Sequence, residues 1–276
     1  MKSNYYYKFI ITPLVGVAAL VLSPLLYAAL PNGNSIPLTL ADNTQVTISI
    51  KNNHVVALLH NNSEQVLINN FMSIPEYARD IWITDFDFDG RQDVAITHHV
   101  DPASHDQFYT IFTWEHSLKH FVPHHFSGGL SNLEVEPARK QIRSSYQAGE
   151  FWTEDTYRFI NKQPFLYSKS VLVASNLWHT TVYNQQHQIL RSLVSNNGKV
   201  DRPPHPVILT VRNNTVPLYG QPLPSTRLKE QLNHGSVITI VDFKRGSGQL
   251  YWVNIRTNLN NKILQGWTLL SNLVQG

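Results

Sequence analysis

Short runs in which apolar and polar residues alternate follow one another along most of the chain. Between residues 35 and 68 four such runs read IPLTL, TQVTISI, VVALL and QVLI, and they are separated by turns rich in asparagine. In the second run Val46, Ile48 and Ile50 alternate with polar residues, which predicts a strand with one buried face. This part of the chain is therefore predicted to be a set of short strands joined by tight turns.

Runs of the same kind continue to residue 194, and each predicts a further strand. They cover residues 81–84, 94–98, 108–114, 141–146, 156–159, 171–174, 180–183 and 188–194. Helical periodicity is scarce, and the best helix candidate, residues 74–80, spans only one or two turns. The pattern favours an all-β meander, sandwich or propeller over an α/β enzyme.

A change of composition divides the chain near residue 200. Residues 196–206 contain Asn-Asn-Gly and Pro-Pro-His-Pro, a composition typical of a linker. We therefore predict one domain over residues 30–195 and a second, shorter and again strand-rich domain over residues 207–276.

The N-terminus carries an export signal. Lys2 and Lys8 precede an apolar stretch over residues 9–30, and we interpret residues 1–29 as a signal peptide cleaved after Ala28 or Ala29. An uncleaved membrane anchor is the first alternative, because the stretch is about long enough to span a bilayer, and an ordinary buried helix is the second. Either of the first two interpretations places the remaining chain outside the cytoplasm.

Composition and charge exclude several functions. The 276 residues are 42% hydrophobic, and 22 basic residues against 19 acidic ones give a net charge of only +3 with no basic run. Nucleic acid is therefore not a predicted partner. Cysteine is absent, which excludes disulfides, thiolate zinc sites and cysteine nucleophiles.

One motif carries specific chemistry. Residues 85–93, DFDFDGRQD, place oxygen ligands at positions one, three, five, seven and nine of a tight loop, with Gly90 at position six to permit a sharp turn. The predicted calcium ligands are Asp85, Asp87, Asp89, the carbonyl of Arg91, and Asp93. Carboxylates this close repel one another without a cation, and the flanking runs are strand-like, so we predict a strand–loop–strand calcium site with a structural role. An acidic surface turn without metal is the alternative.

The loop and several segments after it resemble a known family. Residues 85–96, DFDFDGRQDVAI, resemble the calcium loop of FG-GAP and integrin-α-like repeats. The later segments DQFYTIFTW (106–114), Phe121, LSNL (130–133), IRSSY (142–146) and TYRF (156–159) resemble bacterial periplasmic proteins with one such loop in a small β-propeller-like fold. Some of those proteins are immunity proteins that inhibit lysozyme-like, peptidoglycan-degrading effectors of type IV secretion. The resemblance covers roughly residues 35–195. Relatives are often lipoproteins, whereas this chain has no cysteine to lipidate.

The C-terminal part resembles a bacterial Src-homology-3-like domain. The segments that carry the resemblance are VPLY (216–219), LKEQLNHGSVI (228–238), YWVNI (251–255) and GWT (266–268), followed by Leu273. Their pattern predicts a small β-barrel of five short strands, in which Trp252 and Trp267 are core residues, with a ligand platform as the alternative. The resemblance implies contacts with cell-wall peptides or with other proteins.

Other candidate sites are weaker. His98, His99, His120, His124 and His125 could form a metal site, but exposed or hydrogen-bonded histidines are the preferred interpretation. The acidic residues Glu150, Glu154 and Asp155 could include a glycosidase pair, although nothing fixes their separation, and the Ser-Gly segments lack nucleophile-elbow spacing. No catalytic residues are therefore predicted, and we expect no enzymatic activity.

Aromatic residues crowd the middle of the chain, and a fold of short strands cannot bury all of them. Any exposed members would form a protein interface, with core packing as the alternative. The set comprises Trp114, Phe121, Phe126, Phe151, Trp152, Tyr157, Phe165, Tyr167 and Trp178.

Three functions are compatible with this sequence. The preferred one is a periplasmic inhibitor, or immunity protein, directed against a peptidoglycan hydrolase effector. The second is a cell-wall-binding or envelope scaffolding module that contacts peptidoglycan through its C-terminal barrel, and the third is an unrecognised hydrolase. A membrane is a partner only if the signal segment stays uncleaved.

Overall fold

The computed structural model describes residues 26–28 (backbone only), 35–40, 44–71, 81–200, 205–247, 250–259 and 261–273. These residues form four antiparallel sheets and contain no α-helix, which confirms the predicted all-β class. None of them belongs to a helix of the length and apolarity needed to span a bilayer. The helix predicted over residues 74–80 and most of the predicted signal segment lie outside the described residues.

The first two sheets are meanders of consecutive strands. Sheet 1 has the order β2-β3-β4-β5, and sheet 2 has the order β1-β6-β7-β8-β9. Sheet 1 consists of β2 (Ser35–Thr39), β3 (Gln45–Lys51), β4 (His54–Leu58) and β5 (Glu64–Ile68). Sheet 2 consists of β1 (Leu26–Ala28), β6 (Ile81–Thr84), β7 (Asp93–Val100), β8 (Gln107–Glu115) and β9 (His120–Pro123).

The other two sheets have six strands each. Sheet 3 is again a meander, whereas sheet 4 has the order β16-β19-β20-β21-β17-β18. Sheet 3 consists of β10 (Glu134–Glu136), β11 (Gln141–Ala148), β12 (Phe151–Ile160), β13 (Gln163–Ala174), β14 (Leu177–Tyr183) and β15 (Ile189–Ser195). Sheet 4 consists of β16 (Val207–Thr210), β17 (Thr215–Tyr219), β18 (Arg227–Asn233), β19 (Val237–Arg245), β20 (Tyr251–Leu259) and β21 (Lys262–Leu269). Short 3₁₀ turns lie at Pro137–Arg139, Pro224–Thr226 and Leu270–Asn272.

The strand predictions hold best where one face is apolar. Strand β6 matches its predicted bounds, and β7, β8 and β15 differ by only one or two residues at an end. The prediction was wrong about the long hairpin of β12 and β13, of which it included only the last few residues of β13 and four residues of β12. Several buried positions of these strands are polar, among them Thr156, Ser168 and Ser170, so the apolar pattern alone is too weak to mark them. Strands β9 and β10 were also missed, and sheet 4 has six strands rather than five.

Sheet 2 is buried on both faces. Ile81 and Ile83 of β6 pack with sheet 1, whereas Trp82 between them packs with residues of sheet 3. All four residues of β6 are buried, which explains why this strand has a continuous apolar sequence rather than an alternating one. Sheets 1, 2 and 3 therefore form a stack whose two cores meet at sheet 2.

Sheet 3 contacts both of its neighbours through one face. Alternation along β11, β12 and β13 puts Ile142, Tyr157 and Val171 on that face. Ile142 and Tyr157 join the core with sheet 2, whereas Val171 packs into the core that includes Val216 and Ile255 of sheet 4. The strand order of the described residues closes neither a barrel nor a propeller ring, because sheet 4 ends at β16 and β18 and sheets 1 to 3 stay separate.

Part of the predicted linker is docked on sheet 3. The Gly198 carbonyl accepts hydrogen bonds from Ser170 Oγ (2.7 Å) and Thr180 Oγ1 (3.3 Å). Gly198 has a φ of +67°, and a Cβ there would lie 2.8 Å from the Trp178 ring, so only glycine fits this approach. Residues 196–200 therefore follow the sheet surface after β15.

Strand β1 falls inside the predicted signal segment. Its backbone pairs antiparallel with β6, with Leu26 opposite Ile83 and Ala28 opposite Ile81. The predicted cleavage after Ala28 or Ala29 would separate this strand from the mature chain and leave β6 at the edge of sheet 2.

Candidate metal centre

The acidic loop closes the hairpin of β6 and β7. Thr84 at the end of β6 pairs with Asp93 at the start of β7, and residues 85–92 form the turn between them. The strand–loop–strand context predicted from the sequence is therefore confirmed. Apolar packing of both strands against two other sheets holds the ends of the loop in place.

Three carboxylates of this loop come together. Each of Asp85, Asp87 and Asp89 offers an oxygen, and these oxygens all lie within 4.8 Å of one another. Asp87 is buried, and the other two residues are half-buried. Carboxylate oxygens in such a group are the donors that a hard divalent cation prefers, so the three residues fit a metal ion of the calcium type.

Backbone amides of the loop turn inward and hold the carboxylates. The Asp89 amide donates to Asp85 Oδ1 (3.0 Å) and Asp87 Oδ1 (3.1 Å), and the Gly90 amide donates to Asp85 Oδ2 (2.8 Å). The tight turn needs a left-handed backbone at Phe88 (φ +61°) and Gly90 (φ +88°). Glycine at position six adopts this conformation without strain, as the sequence predicts.

Asp93 occupies a different place in the loop. It is only 2% exposed, and its Oδ2 accepts the amides of Phe86 (2.8 Å) and Asp87 (3.3 Å). Asp93 therefore ties the first residues of the loop to the start of β7. Its role as a ligand, like that of the Arg91 carbonyl, stays a prediction.

Burial and mutual repulsion disfavour the charged form of the loop carboxylates. Burial, followed by the repulsion of the Asp89 carboxylate, raises the pKa of Asp87 to about 6. Burial also raises the pKa of Asp85, and it raises the pKa of Asp93 well above its usual range. The protein itself does not supply enough positive charge to keep the pKa values of these carboxylates in their usual range.

Lys162 is a loop contact that sequence reasoning missed. It lies in the tight turn between β12 and β13, and its Nζ is 2.6 Å from Asp89 Oδ2, while Arg91 Nε is 3.7 Å from the same oxygen. The Lys162 ammonium group is therefore a contact between sheet 3 and the loop of sheet 2. No sequence signal could have found the contact, because 73 residues separate the partners and only the stacking of the two sheets joins them.

The acidic residues considered for a glycosidase pair lie in three different networks. Glu150 is at the tip of the β11–β12 hairpin, where its carboxylate accepts a hydrogen bond from Tyr251. Glu154 and Asp155 are neighbours in β12, so they point to opposite faces of sheet 3. The structure therefore does not bring these residues together.

Arg143 and Lys169 balance the buried acids of sheet 3. Arg143 is 5% exposed, and its Nη2 contacts Glu134 and lies 2.5 Å from Glu136 Oε1. Burial raises the pKa of Glu154, and Arg143, whose Nη1 is 3.8 Å from Glu154 Oε1, opposes that rise. On the other face, Lys169 Nζ contacts Asp155 Oδ1 at 3.1 Å.

The phenol of Tyr146 completes the second network. It donates to Asp155 Oδ2 (3.1 Å) and accepts from Lys169 Nζ (2.7 Å). Each of these three side chains thus has two partners in the network. The acid, the base and the phenol form a closed set inside sheet 3.

The histidine candidates are scattered. His98, His99 and His125 are exposed, and His98 Nδ1 contacts Thr110 Oγ1 at 3.1 Å, which agrees with the interpretation preferred from the sequence. His124 differs, because it packs against the rings of Phe126 and Phe159 and burial lowers its pKa.

Most of the crowded aromatic residues contribute to packing. Trp114, Phe121 and Tyr157 are buried, and Trp152 is the member of the set that is 39% exposed. In sheet 4 Trp252 is a core residue, as predicted, while Trp267 is half-buried.

Comparisons with known proteins place few constraints on this chain. No protein-family model matches it, and no curated protein sequence matches it either. Among solved structures, it is similar to a protein described as a Xanthomonas type IV secretion system related protein, with 14% sequence identity. The match covers 63% of this chain and 95% of that chain with a TM-score of 0.37, a level at which the similarity establishes neither a common fold nor a common function.

Proposed function

We propose that residues 85–93 bind a calcium ion with a structural role. The three converging carboxylates of Asp85, Asp87 and Asp89, together with the raised pKa values of Asp85 and Asp87, support this proposal. A bound divalent cation would supply the positive charge that the loop lacks, and its binding to the folded state alone would stabilise that state by mass action. Asp85, Asp87 and Asp89 would hold the ion, and Asp93 would fix the loop around it.

We further propose that the protein is exported to the periplasm, is not an enzyme, and inhibits a peptidoglycan-degrading, lysozyme-like effector of type IV secretion. The observation that carries this proposal is the acidic loop in a strand–loop–strand unit of an all-β stack, because the same loop carries the sequence resemblance to periplasmic immunity proteins. Binding would occlude the cleft of the target enzyme, and the calcium loop would keep the binding surface in shape.

The proposed architecture has two domains. Sheets 1 to 3 would form a β-propeller-like domain over residues 30–195, since consecutive antiparallel meanders stacked face to face resemble the blades of a propeller. Sheet 4 would be an opened Src-homology-3-like barrel over residues 207–276. The core that Val171 shares with Val216 and Ile255 supports a fixed placement of one domain on the other.

Capture of the target followed by an activity assay tests the inhibitor role. Mature protein is immobilised in calcium, exposed to native envelope extract, and retained proteins are identified by mass spectrometry. We expect a peptidoglycan hydrolase in stoichiometric amount, whose clearing of a cell-wall suspension stops when the purified protein is added. The Asp87→Asn/Asp89→Asn variant serves as the control for dependence on the loop.

Two outcomes would contradict the proposal. Retention of wall fragments without a hydrolase would favour a cell-wall-binding protein, and clearing of the suspension by the purified protein alone would make it an enzyme.

A further inference from the structure

Sheets 3 and 4 meet across a row of four rings. The order is His179 of β14, Phe243 of β19, Tyr251 of β20 and Phe151 of β12, so the two outer rings belong to sheet 3 and the two inner rings to sheet 4. Successive ring centroids lie 5.5, 5.9 and 5.7 Å apart. Ring contacts at these separations add to the apolar packing between the two sheets.

The two rings from sheet 3 lie on one face of that sheet. His179 is directly opposite Val171 of β13, and Val171 is directly opposite Thr153 of β12. Phe151 comes two positions before Thr153 in the same strand, so alternation puts it on the same face.

The two rings from sheet 4 also share a face. Phe243 is directly opposite Val253, and Tyr251 comes two positions before Val253 in β20. Val253 belongs to the same apolar core as Val171 of sheet 3. The four rings therefore lie on the two surfaces that face each other.

His179 is the ring of this row that gains a charge in mild acid. Its direct cross-strand partners are Val171 of β13 and Val194 of β15, and Phe243 contacts it from sheet 4. A charged imidazolium at this place would lose water and gain apolar neighbours on three sides. Burial accordingly lowers the pKa of His179, and the nearby Asp242 carboxylate opposes this shift only in part.

The other charged groups on the elements packed around this ring have partners of their own. Lys169 of β13 contacts Asp155, and Arg245 Nη2 of β19 lies 3.9 Å from Glu150 Oε1. The Tyr251 hydroxyl of β20 donates to the same glutamate, and a phenol stays neutral in acid. The charge state of the imidazole therefore depends on its apolar neighbours and on the aspartate of β19.

We propose that the docking of sheet 4 on sheet 3 is linked to protons through His179. The neutral imidazole packs in the shared core, whereas an imidazolium gains its hydration only when the two sheets separate. In the separated state the ring has its ordinary pKa of 6.5, so below about that pH this state binds more protons than the docked state. Docking therefore weakens as the pH falls from about 7 to about 5.

The inference goes beyond the proposed function. His179 lies in sheet 3, and neither calcium binding nor the inhibition of an enzyme enters the argument. The sign is also opposite to that of the acidic loop, whose aspartates favour the folded state at lower pH. The test is therefore run in saturating calcium, and failure of the calcium or the inhibitor proposal would leave it standing.

Hydrogen exchange of the mature protein, followed by mass spectrometry and corrected for the intrinsic exchange rate at each pH, tests the proposal. We expect protection in peptides from β14 and β19 to fall severalfold between pH 7 and pH 5, while peptides from sheet 1 keep theirs. His179→Phe retains a ring against Phe243 but cannot be protonated, so its protection should not change with pH. His125→Phe, at an exposed position after β9, is the matched control and should behave like the native chain.

A second variant keeps the test decisive if His179→Phe does not fold. Asp242→Asn retains the Oδ1 acceptor of the Phe243 amide but removes the charge that favours the imidazolium. The fall in protection should then be larger than in the native chain.

Three results would overturn the proposal. The first is protection of β14 and β19 that is the same at pH 7 and pH 5, and the second is a fall of the same size in His179→Phe or no larger fall in Asp242→Asn. The third is an equal fall in the peptides of sheet 1, because that would mean unfolding of the whole chain rather than separation of two sheets.

Discussion

Buried carboxylates occur in two regions of this protein, and the two regions balance them differently. In sheet 3 a basic side chain on each face neutralises the acids, Arg143 on one face and Lys169 on the other. In the loop of sheet 2 four aspartates lie within nine residues, and Lys162 and Arg91 both reach the same carboxylate, that of Asp89. Asp85, Asp87 and Asp93 rely on backbone amides.

The difference teaches where an external cation is needed. In sheet 3 burial also raises the pKa values of Glu154 and Asp155, but a fixed basic side chain within 4 Å of each carboxylate opposes that rise. Backbone amides donate only partial charge, and the raised pKa of Asp87 shows that they do not offset burial and repulsion. The loop is thus the region in which stability should respond to calcium.

Removing the internal cation of sheet 3 should have the largest effect. Arg143→Met leaves the half-buried Glu154 without the guanidinium that opposes its burial, and loss of one member of a buried ion pair costs up to about 3–5 kcal/mol. Urea denaturation measures the loss, with Lys140→Met, an exposed position of the preceding turn, as the control. A loss no larger than that of the control would show that sheet 3 is not held by this charge.

Neutralising the loop should abolish the response to calcium. For the native chain, calcium at about 100 times its dissociation constant should add about 2.7 kcal/mol to the free energy of unfolding. In Asp87→Asn/Asp89→Asn that increment should vanish, while melting in chelator should be unchanged or higher because two repelling charges are gone. Differential scanning calorimetry with and without chelator measures both, and Glu64→Gln on sheet 1 is the control. If the melting temperature of the native chain were the same with calcium and with chelator, the structural role would be contradicted.

The pH dependence of the metal-free protein should separate the two regions further. The pKa of Asp87 is about 6 in the folded state against 3.8 when unperturbed, so between these values the folded state binds more protons than the unfolded state. Stability in chelator should therefore fall as the pH rises from about 4 to about 7, and saturating calcium should remove the share of this slope that comes from the loop. Thermal melts across that range are the measurement. A slope that is equally steep with calcium would assign it to groups outside the loop.

The smallest effect is expected from the contact between the two regions. Lys162→Met removes an exposed ion pair, so without calcium the free energy of unfolding should change by no more than about 1 kcal/mol. Calcium affinity should rise severalfold, because the ammonium no longer repels the incoming cation. Titration calorimetry measures the affinity, with Lys119→Met as the control. A fall in affinity would mean that Lys162 orients Asp89 for the ion rather than competing with it.

Local pattern explains which features the sequence could predict. The apolar alternation of Val46, Ile48 and Ile50 and the continuous apolar run of β6 identified strands, because burial of one or both faces dictates those patterns directly. The β12–β13 hairpin escaped detection, since its buried residues include Thr156, Ser168 and Ser170, which look like surface residues until their partners are known.

The sequence by itself determined the all-β class, the acidic loop between two strands, and the glycine that its turn requires. These features depend on residues close together in the chain, where spacing and backbone preference are sufficient. Only the tertiary structure decided that Asp93 serves the loop backbone and that Lys162 contacts Asp89. The physical reason is that these contacts arise from the stacking of sheets, which the buried surfaces of many strands set jointly and no local pattern records.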